Sequence, residues 1–147
     1  CLWCSDPLEH GEAVDGAGLE RAGKLKLMAK TSEPERIYRA CDSFLLPAHY
    51  ETFGMTALEA MASGLPVAVT SHCGVAELLD NGANAIVVDD SRDPVELAAA
   101  LERLADPKTA ARLAAAGTQA ARRQGWGATV DGYLALYERV HREKTLA

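Results

Sequence analysis

Two glutamates lie on either side of a short turn pattern in the middle of the chain. Glu51 and Glu59 flank the dipeptide Phe53-Gly54, after which the sequence predicts a helix. Backbone N–H groups and the positive end of the helix dipole favour phosphate at such a helix start. Ionised carboxylates only accept hydrogen bonds, and they therefore suit the hydroxyl groups of a sugar. The spacing thus indicates a site for a hydroxyl-rich ligand that carries phosphate.

The elements that must position these residues are short apolar runs alternating with helical patterns. The runs are Cys1–Cys4, Leu25–Ala29, Ser43–Pro47, Pro66–Thr70 and Ala85–Val88, and the intervening helical patterns are Glu33–Ala40, Gly54–Ser63 and Val75–Leu79. The runs are continuous rather than alternating, as is typical of strands buried on both faces. The order of elements predicts an α/β fold with a parallel sheet.

Polar residues follow two of the predicted strands, where ligands bind in open α/β sheets. The strand Ser43–Pro47 leads to His49, Tyr50 and Glu51, the strand Pro66–Thr70 leads to Ser71, His72, Cys73 and Gly74, and the helix between them begins with Gly54, Met55 and Thr56. Glycine at position 54 allows the backbone to approach a ligand closely. We expect these residues to share one crevice.

Other interpretations of the same residues stay open. Glu59 follows Thr56 by three residues and could complete a capping box, while Glu51 could be a solvated loop acid. His72 could donate to phosphate or sugar, or be solvated, and His49 is better explained as a structural or rim residue. The Cys1-Leu-Trp-Cys4 pair has no second CxxC to complete a zinc site, so redox or metal function is disfavoured.

From Asp93 onward the sequence predicts helices only, at about 93–105, 107–123 and 127–144. Asp93-Pro94-Val95-Glu96 has the spacing of an N-cap, a first-turn proline and a capping-box carboxylate. The last helix carries Val130, Leu134, Tyr137 and Val140 on one stripe, so it must pack on something.

Composition excludes several classes of protein. The 147 residues suffice for one domain and carry a net charge of −6, which disfavours nucleic acid as a partner. There is no apolar run long enough for a membrane span and no signal-peptide pattern, so we expect a cytoplasmic protein. Basic residues near the C-terminus indicate either a solvated helix face or peripheral contact with an anionic membrane; they are Arg122, Arg123, Arg139, Arg142 and Lys144.

The segment Glu51-Thr-Phe-Gly-Met-Thr-Ala-Leu-Glu59 resembles the E-x7-E motif of retaining, nucleotide-sugar-dependent glycosyltransferases with the GT-B fold. The resemblance extends from near Leu25 to the C-terminus. It includes Ala40–Pro47 before the motif, Glu59–Val67 after it, and downstream Cys73–Glu77, Asn81-Gly82, Asp93-Pro94, Trp126 and Tyr133.

The resemblance implies a single, incomplete Rossmann-like domain over residues 1–147, with helices on both faces of its sheet and residues 93–147 as its helical portion. This would be the C-terminal, donor-binding half of a GT-B enzyme, which needs no metal or other cofactor. Glu51, the catalytic candidate, would hold the transferred sugar, and Glu59 would hold the ribose of the donor nucleotide. The remaining donor-binding residues would be Phe53, Gly54, Met55, Thr56, His72 and Gly74.

Two departures from the family pattern affect these expectations. Thr52 stands where a small residue or proline is usual, and its β-branched side chain is expected to narrow sugar choice. Nothing resembles the family's first strand ending in Gly-Arg or its phosphate-binding lysine, and Cys1–Pro7 instead resembles the second strand. We therefore expect upstream sequence or a partner chain to supply the central strand, and an absent N-terminal domain to supply the acceptor site. Lys30 could contribute to base recognition or be a surface charge.

Two other functions compete with donor binding by a transferase. A glycoside hydrolase would use Glu51 and Glu59 as acid and base, but its carboxyls must flank a glycosidic bond and usually come from different strand ends. A non-catalytic nucleotide-binding or scaffold module would share the donor site and lack turnover. On its own, the chain is expected to bind a nucleoside diphosphate sugar weakly and not to turn it over.

Overall fold

The computed structural model describes residues 31–145, together with Gly23, Lys26 and Met28. In this part of the chain three parallel strands form a sheet in the order β1-β2-β3, and they are β1 (Phe44–Leu46), β2 (Val67–Thr70) and β3 (Ile86–Val88). Phe44 pairs with Val67 and Val69 pairs with Val87. The predicted α/β fold with a parallel sheet is confirmed, and each strand is slightly shorter than its apolar run.

Helices connect the strands and complete the chain. They are α1 (Pro34–Arg39), α2 (Met55–Ala62), a 3-10 helix at Gly74–Leu78, α3 (Pro94–Ala105), α4 (Pro107–Arg122) and α5 (Trp126–Thr145). The pattern predicted at Val75–Leu79 is therefore a 3-10 turn that begins one residue earlier. The three C-terminal helices lie where the sequence places them.

The central strand β2 separates two layers of core. Val67 and Val69 contact the side chains of α2, including Met61, on one face of the sheet. Ala68, between them, packs with Leu104 of α3 and with α4 on the other face. Successive strand residues point to opposite faces, so the fully buried run of β2 reflects the expected helices on both faces.

The start of α3 corrects one predicted detail. The Asp93 carboxylate caps the helix by accepting from the N–H groups of Val95 (2.8 Å) and Glu96 (3.3 Å). The Glu96 carboxylate does not return to the Asp93 N–H, because that group already donates to the carbonyl of Asp90. It accepts instead from the N–H groups of Asp89 and Asp90 and so fastens the loop after β3 to the helix.

Helix α5 departs most from expectation. Every side chain from residue 126 to residue 144 is exposed, including the predicted stripe of Val130, Leu134, Tyr137 and Val140. The prediction that the stripe is packed is wrong for the described part of the chain, since periodicity defines an apolar face without providing its partner. No described helix is long and apolar enough to cross a bilayer.

Several predictions fall on residues that are not described. The strand Cys1–Cys4, the CxxC pair and Lys30 lie outside the described residues, as does Leu25–Ala29 apart from Lys26 and Met28, neither of which is in a strand. The expectation that upstream sequence or a partner chain supplies the central strand therefore stays a prediction.

Candidate functional site

The loops that follow β1 and β2 pair with each other beyond the sheet. The Glu51 N–H donates to the His72 carbonyl at 3.3 Å, and the Gly74 N–H donates back to the Glu51 carbonyl at 3.1 Å. Residue 74 must be small, because a Cβ there would lie 2.3 Å from the backbone carbonyl oxygen of Thr52. The pairing extends the parallel sheet by one bridge, so residues from both strand ends share one edge, as predicted from topology.

Helix α2 begins at this edge. Gly54, its N-cap, has a φ of 94°, a left-handed conformation that favours glycine. A Cβ at Gly54 would lie 3.1 Å from the Val75 side chain and 3.3 Å from that of Leu46, so close packing within the protein also favours glycine there. Within the described residues the N–H groups of Gly54, Met55 and Thr56 have no hydrogen-bond acceptor.

The Glu51 carboxylate folds back onto its own loop. Its Oε1 accepts from the Phe53 N–H at 3.3 Å and from the Thr52 hydroxyl at 3.4 Å, and the residue is half-buried. The Glu51 carboxylate thus contacts its own loop, and its role in ligand binding stays a prediction. The Phe53 N–H, one of the predicted ligand donors, is engaged within the protein unless this carboxylate turns away.

The Glu59 carboxylate engages helix α1. Its Oε2 accepts a hydrogen bond from the Tyr38 hydroxyl at 3.1 Å. The capping-box interpretation of Thr56 and Glu59 is wrong, because Gly54 is the N-cap and no side chain caps α2. Burial, and then the hydrogen bond and negative charge of Glu59, raise the pKa of Tyr38 to about 12. Sequence reasoning missed Tyr38, whose only signal is an aromatic residue beside Ile37 in a short helix that is rich in charged residues.

The exposed side of α2 faces an open depression of about 330 Å³. Its lining residues are Pro34, Glu35, Tyr38, Glu59, Ala62 and Ser63. The two charged residues in the described part of this lining are both acidic. The two glutamates of the motif thus have different protein partners, Glu51 at the helix start and Glu59 beside α1.

Two histidines and an ion pair lie at the rim of the strand ends. The rings of His49 and His72 are 5.8 Å apart, and His49 Nδ1 shares a 3.2 Å hydrogen bond with Ser91 Oγ. Hydrogen bonds from the Arg92 backbone and side chain lower the pKa of Asp90. Among the described residues, no three His, Cys, Asp or Glu side chains are grouped to hold a metal ion.

The model of one protein family, the glycosyl transferases group 1, matches residues 15–120. The chain belongs to this family. It is 39% identical over 133 residues to a D-inositol 3-phosphate glycosyltransferase of Thermobispora bispora, covering 86% of this chain and 31% of that protein. The group 1 domain is thus a glycosyltransferase domain.

Solved structures agree on the architecture of the domain. A sucrose-phosphate synthase from Thermosynechococcus elongatus superposes with a TM-score of 0.70 at 25% identity, over 86% of this chain and 33% of that one. HepE of Anabaena in complex with UDP shares the fold, with a TM-score of 0.69 at 22% identity, over 84% of this chain and 35% of that one. The neighbours are GT-B glycosyltransferases, so the predicted fold family is confirmed. The chain spans about a third of the length of these relatives.

Proposed function

We propose that this group 1 domain binds the nucleoside diphosphate sugar of a retaining glycosyltransferase. The proposal rests mainly on the start of α2, where three N–H groups that have no acceptor among the described residues lie beside Glu51 and the paired strand-end loops. No acidic residue occupies the first turn of α2. An anionic ligand would therefore meet oriented amides and the positive helix dipole without a competing protein carboxylate in that turn.

The ligand would lie along the exposed side of α2. Its diphosphate would meet the N–H groups of Gly54, Met55 and Thr56, and Glu51 would accept from the transferred sugar. Glu59 follows Met55 by four residues, about 6 Å along the helix axis, and would accept from the ribose. His72 and Gly74 would border the phosphates from the loop after β2.

In the proposed reaction the acceptor oxygen bonds to the anomeric carbon while the bond from that carbon to the diphosphate breaks. The leaving phosphate takes the acceptor proton on the same face of the sugar, so the configuration is kept. The protein contributes positioning and stabilisation of the developing negative charge. In this proposal the helix amides take the place that a metal ion has in other transferases, and no cofactor takes part.

The acceptor would bind to a second domain, so we expect the chain alone to bind donor weakly without turnover. A cytoplasmic location, and peripheral membrane contact through the exposed basic residues of the C-terminal helices, are further proposals. HepE, whose structure contains UDP, makes UDP the first nucleotide to test.

Titration of the ¹⁵N-labelled chain with UDP, GDP and ADP, followed by NMR, tests donor binding. We expect one nucleotide to bind and to shift the amide signals of Gly54, Met55 and Thr56. Glu59→Ala should weaken that nucleotide tenfold or more, since a hydrogen bond to a charged group contributes about 1.5–3 kcal/mol. Glu102→Ala, an exposed glutamate on α3, is the matched control. The absence of binding by all three nucleotides would contradict the proposal.

Of the two competing functions, hydrolysis is disfavoured by membership of a transferase family. The non-catalytic module differs from the enzyme only in turnover. Assay of a longer protein that includes an acceptor domain separates them, since a module would bind the nucleotide sugar without releasing nucleoside diphosphate in the presence of acceptors.

A further inference from the structure

We infer that Tyr38 is a positioning residue that holds the Glu59 carboxylate so that one of its oxygens faces the ribose of a bound nucleotide. The inference rests on the proposed function, because it takes Glu59 as the acceptor for ribose hydroxyls. It adds a residue of α1, 21 positions before Glu59 in the chain, to a site otherwise built from the strand-end loops and α2.

The contact is well placed to fix the carboxylate. Tyr38 is only 6% exposed, and its ring packs edge-on against Phe44 of β1 at a centroid distance of 5.9 Å. The hydroxyl donates to Oε2 of Glu59, whereas Oε1 has no donor within the described residues. A rigid aromatic ring thus anchors one oxygen of an otherwise exposed side chain and leaves the other oxygen for a ligand.

The hydroxyl can only act as a donor to this carboxylate. Because the pKa of Tyr38 is raised to about 12, the phenol keeps its proton throughout the physiological range. An ionised carboxylate has no proton to give. The direction of the hydrogen bond is therefore fixed.

The lining of the depression indicates which part of a nucleotide would lie there. Among the described residues of the lining, Glu35 and Glu59 are the charged members, and none is Lys, Arg or His. Two carboxylates would repel a diphosphate and accept from neutral hydroxyl groups. The charges thus favour a nucleotide orientation with its ribose at the depression and its phosphates at the start of α2.

The test compares nucleotides that have or lack ribose hydroxyls. Tyr38→Phe keeps the ring against Phe44 and removes the donor, and Tyr133→Phe on exposed α5 is the matched control. NMR titrations use the best-binding nucleoside diphosphate and its 2′,3′-dideoxy form, with circular dichroism to check folding. We expect Tyr38→Phe to weaken the ribonucleotide about threefold to tenfold, to leave the dideoxy form unchanged, and to have no further effect in a Glu59→Ala background.

Equal weakening of both probes, or the same loss in the Glu59→Ala background, would assign Tyr38 a merely structural role and overturn the inference. Unchanged affinity in Tyr38→Phe, with weakening by Glu59→Ala, would also overturn it and leave the proposed function standing. If the unmodified chain binds no nucleotide, the proposed function fails first and the inference fails with it.

Discussion

Helices α2 and α5 both have apolar residues at helical spacing, but these residues are buried in α2 and exposed in α5. In α2 the apolar positions Ala57, Leu58, Ala60 and Met61 are buried against the sheet and α4. In α5 the corresponding stripe is exposed, with Tyr137 at 64%. The comparison shows that an amphipathic pattern selects a face, whereas the stability gained depends on a neighbour to cover it.

A glycine near the start of α2 and a glycine in α5 also differ in how closely other residues pack against them. Gly74 lies against the backbone of the loop after β1, where a Cβ has no room, whereas a Cβ on Gly132 of α5 would meet nothing within 4 Å. One glycine is required by tertiary contacts, and the other occupies open helix surface.

The largest expected effect compares one apolar truncation in each helix. Met61→Ala removes a side chain with 0% exposure and should reduce the free energy of unfolding by about 2–5 kcal/mol. Leu134→Ala on α5 should change it by no more than about 0.5 kcal/mol, since its side chain is 55% exposed. Urea unfolding followed by circular dichroism measures both. Comparable losses in the two variants would mean that α5 is packed in solution.

Substituting the two glycines by alanine should change the free energy of unfolding by smaller amounts, and in opposite directions. Gly74→Ala should destabilise the chain by about 1–3 kcal/mol, because the new methyl group displaces the Thr52 backbone. Gly132→Ala should stabilise it by about 0.5–1 kcal/mol, since alanine is the better helix former and has space. Thermal unfolding of both variants measures these changes in stability. A Gly74→Ala variant as stable as the unmodified chain would show that the two loops are not paired as described.

The smallest expected effect concerns pH. The Asp106 carboxylate accepts from Thr109 at the start of α4, which lowers its pKa, whereas the first turn of α5 has no acidic residue. A lowered folded-state pKa means that this stabilisation is present above the unfolded value of about 3.9 and is lost as pH falls through the folded value.

Asp106→Asn should preserve the helix cap, because asparagine is also a good N-cap residue. The variant lacks a carboxylate at this position that could be protonated as the pH falls. Melting temperatures measured from about pH 5 down to about pH 2 should therefore fall less steeply in this variant than in the unmodified chain. Asp131→Asn on α5 is the control and should leave the slope unchanged. Identical slopes for Asp106→Asn and the unmodified chain would remove Asp106 from the acid response.

Local signals predicted local structure well. The cap at Asp93 was predicted from its spacing to Pro94 and Glu96, and its carboxylate accepts the expected N–H bonds. Asp106, which also precedes a proline, caps α4 in a similar way. The absence of a return bond from the Glu96 carboxylate to the Asp93 N–H could not be predicted from the spacing. It depends on whether that N–H already has another acceptor, which here is the Asp90 carbonyl. Likewise the capping box at Thr56 and Glu59 satisfied the spacing rule, but the left-handed Gly54 starts the helix two residues earlier.

By itself, the sequence determined the parallel α/β fold, the positions of the described strands and α-helices, and the strand ends that carry the candidate site. Periodicity, prolines and glycines encode these features within short stretches of chain. Only the tertiary structure decided that the Tyr38 hydroxyl donates to the Glu59 carboxylate and that the loops after β1 and β2 pair. It also decided that the apolar side chains of α5 are exposed. These outcomes depend on which residues meet across long sequence separations, which no local pattern specifies.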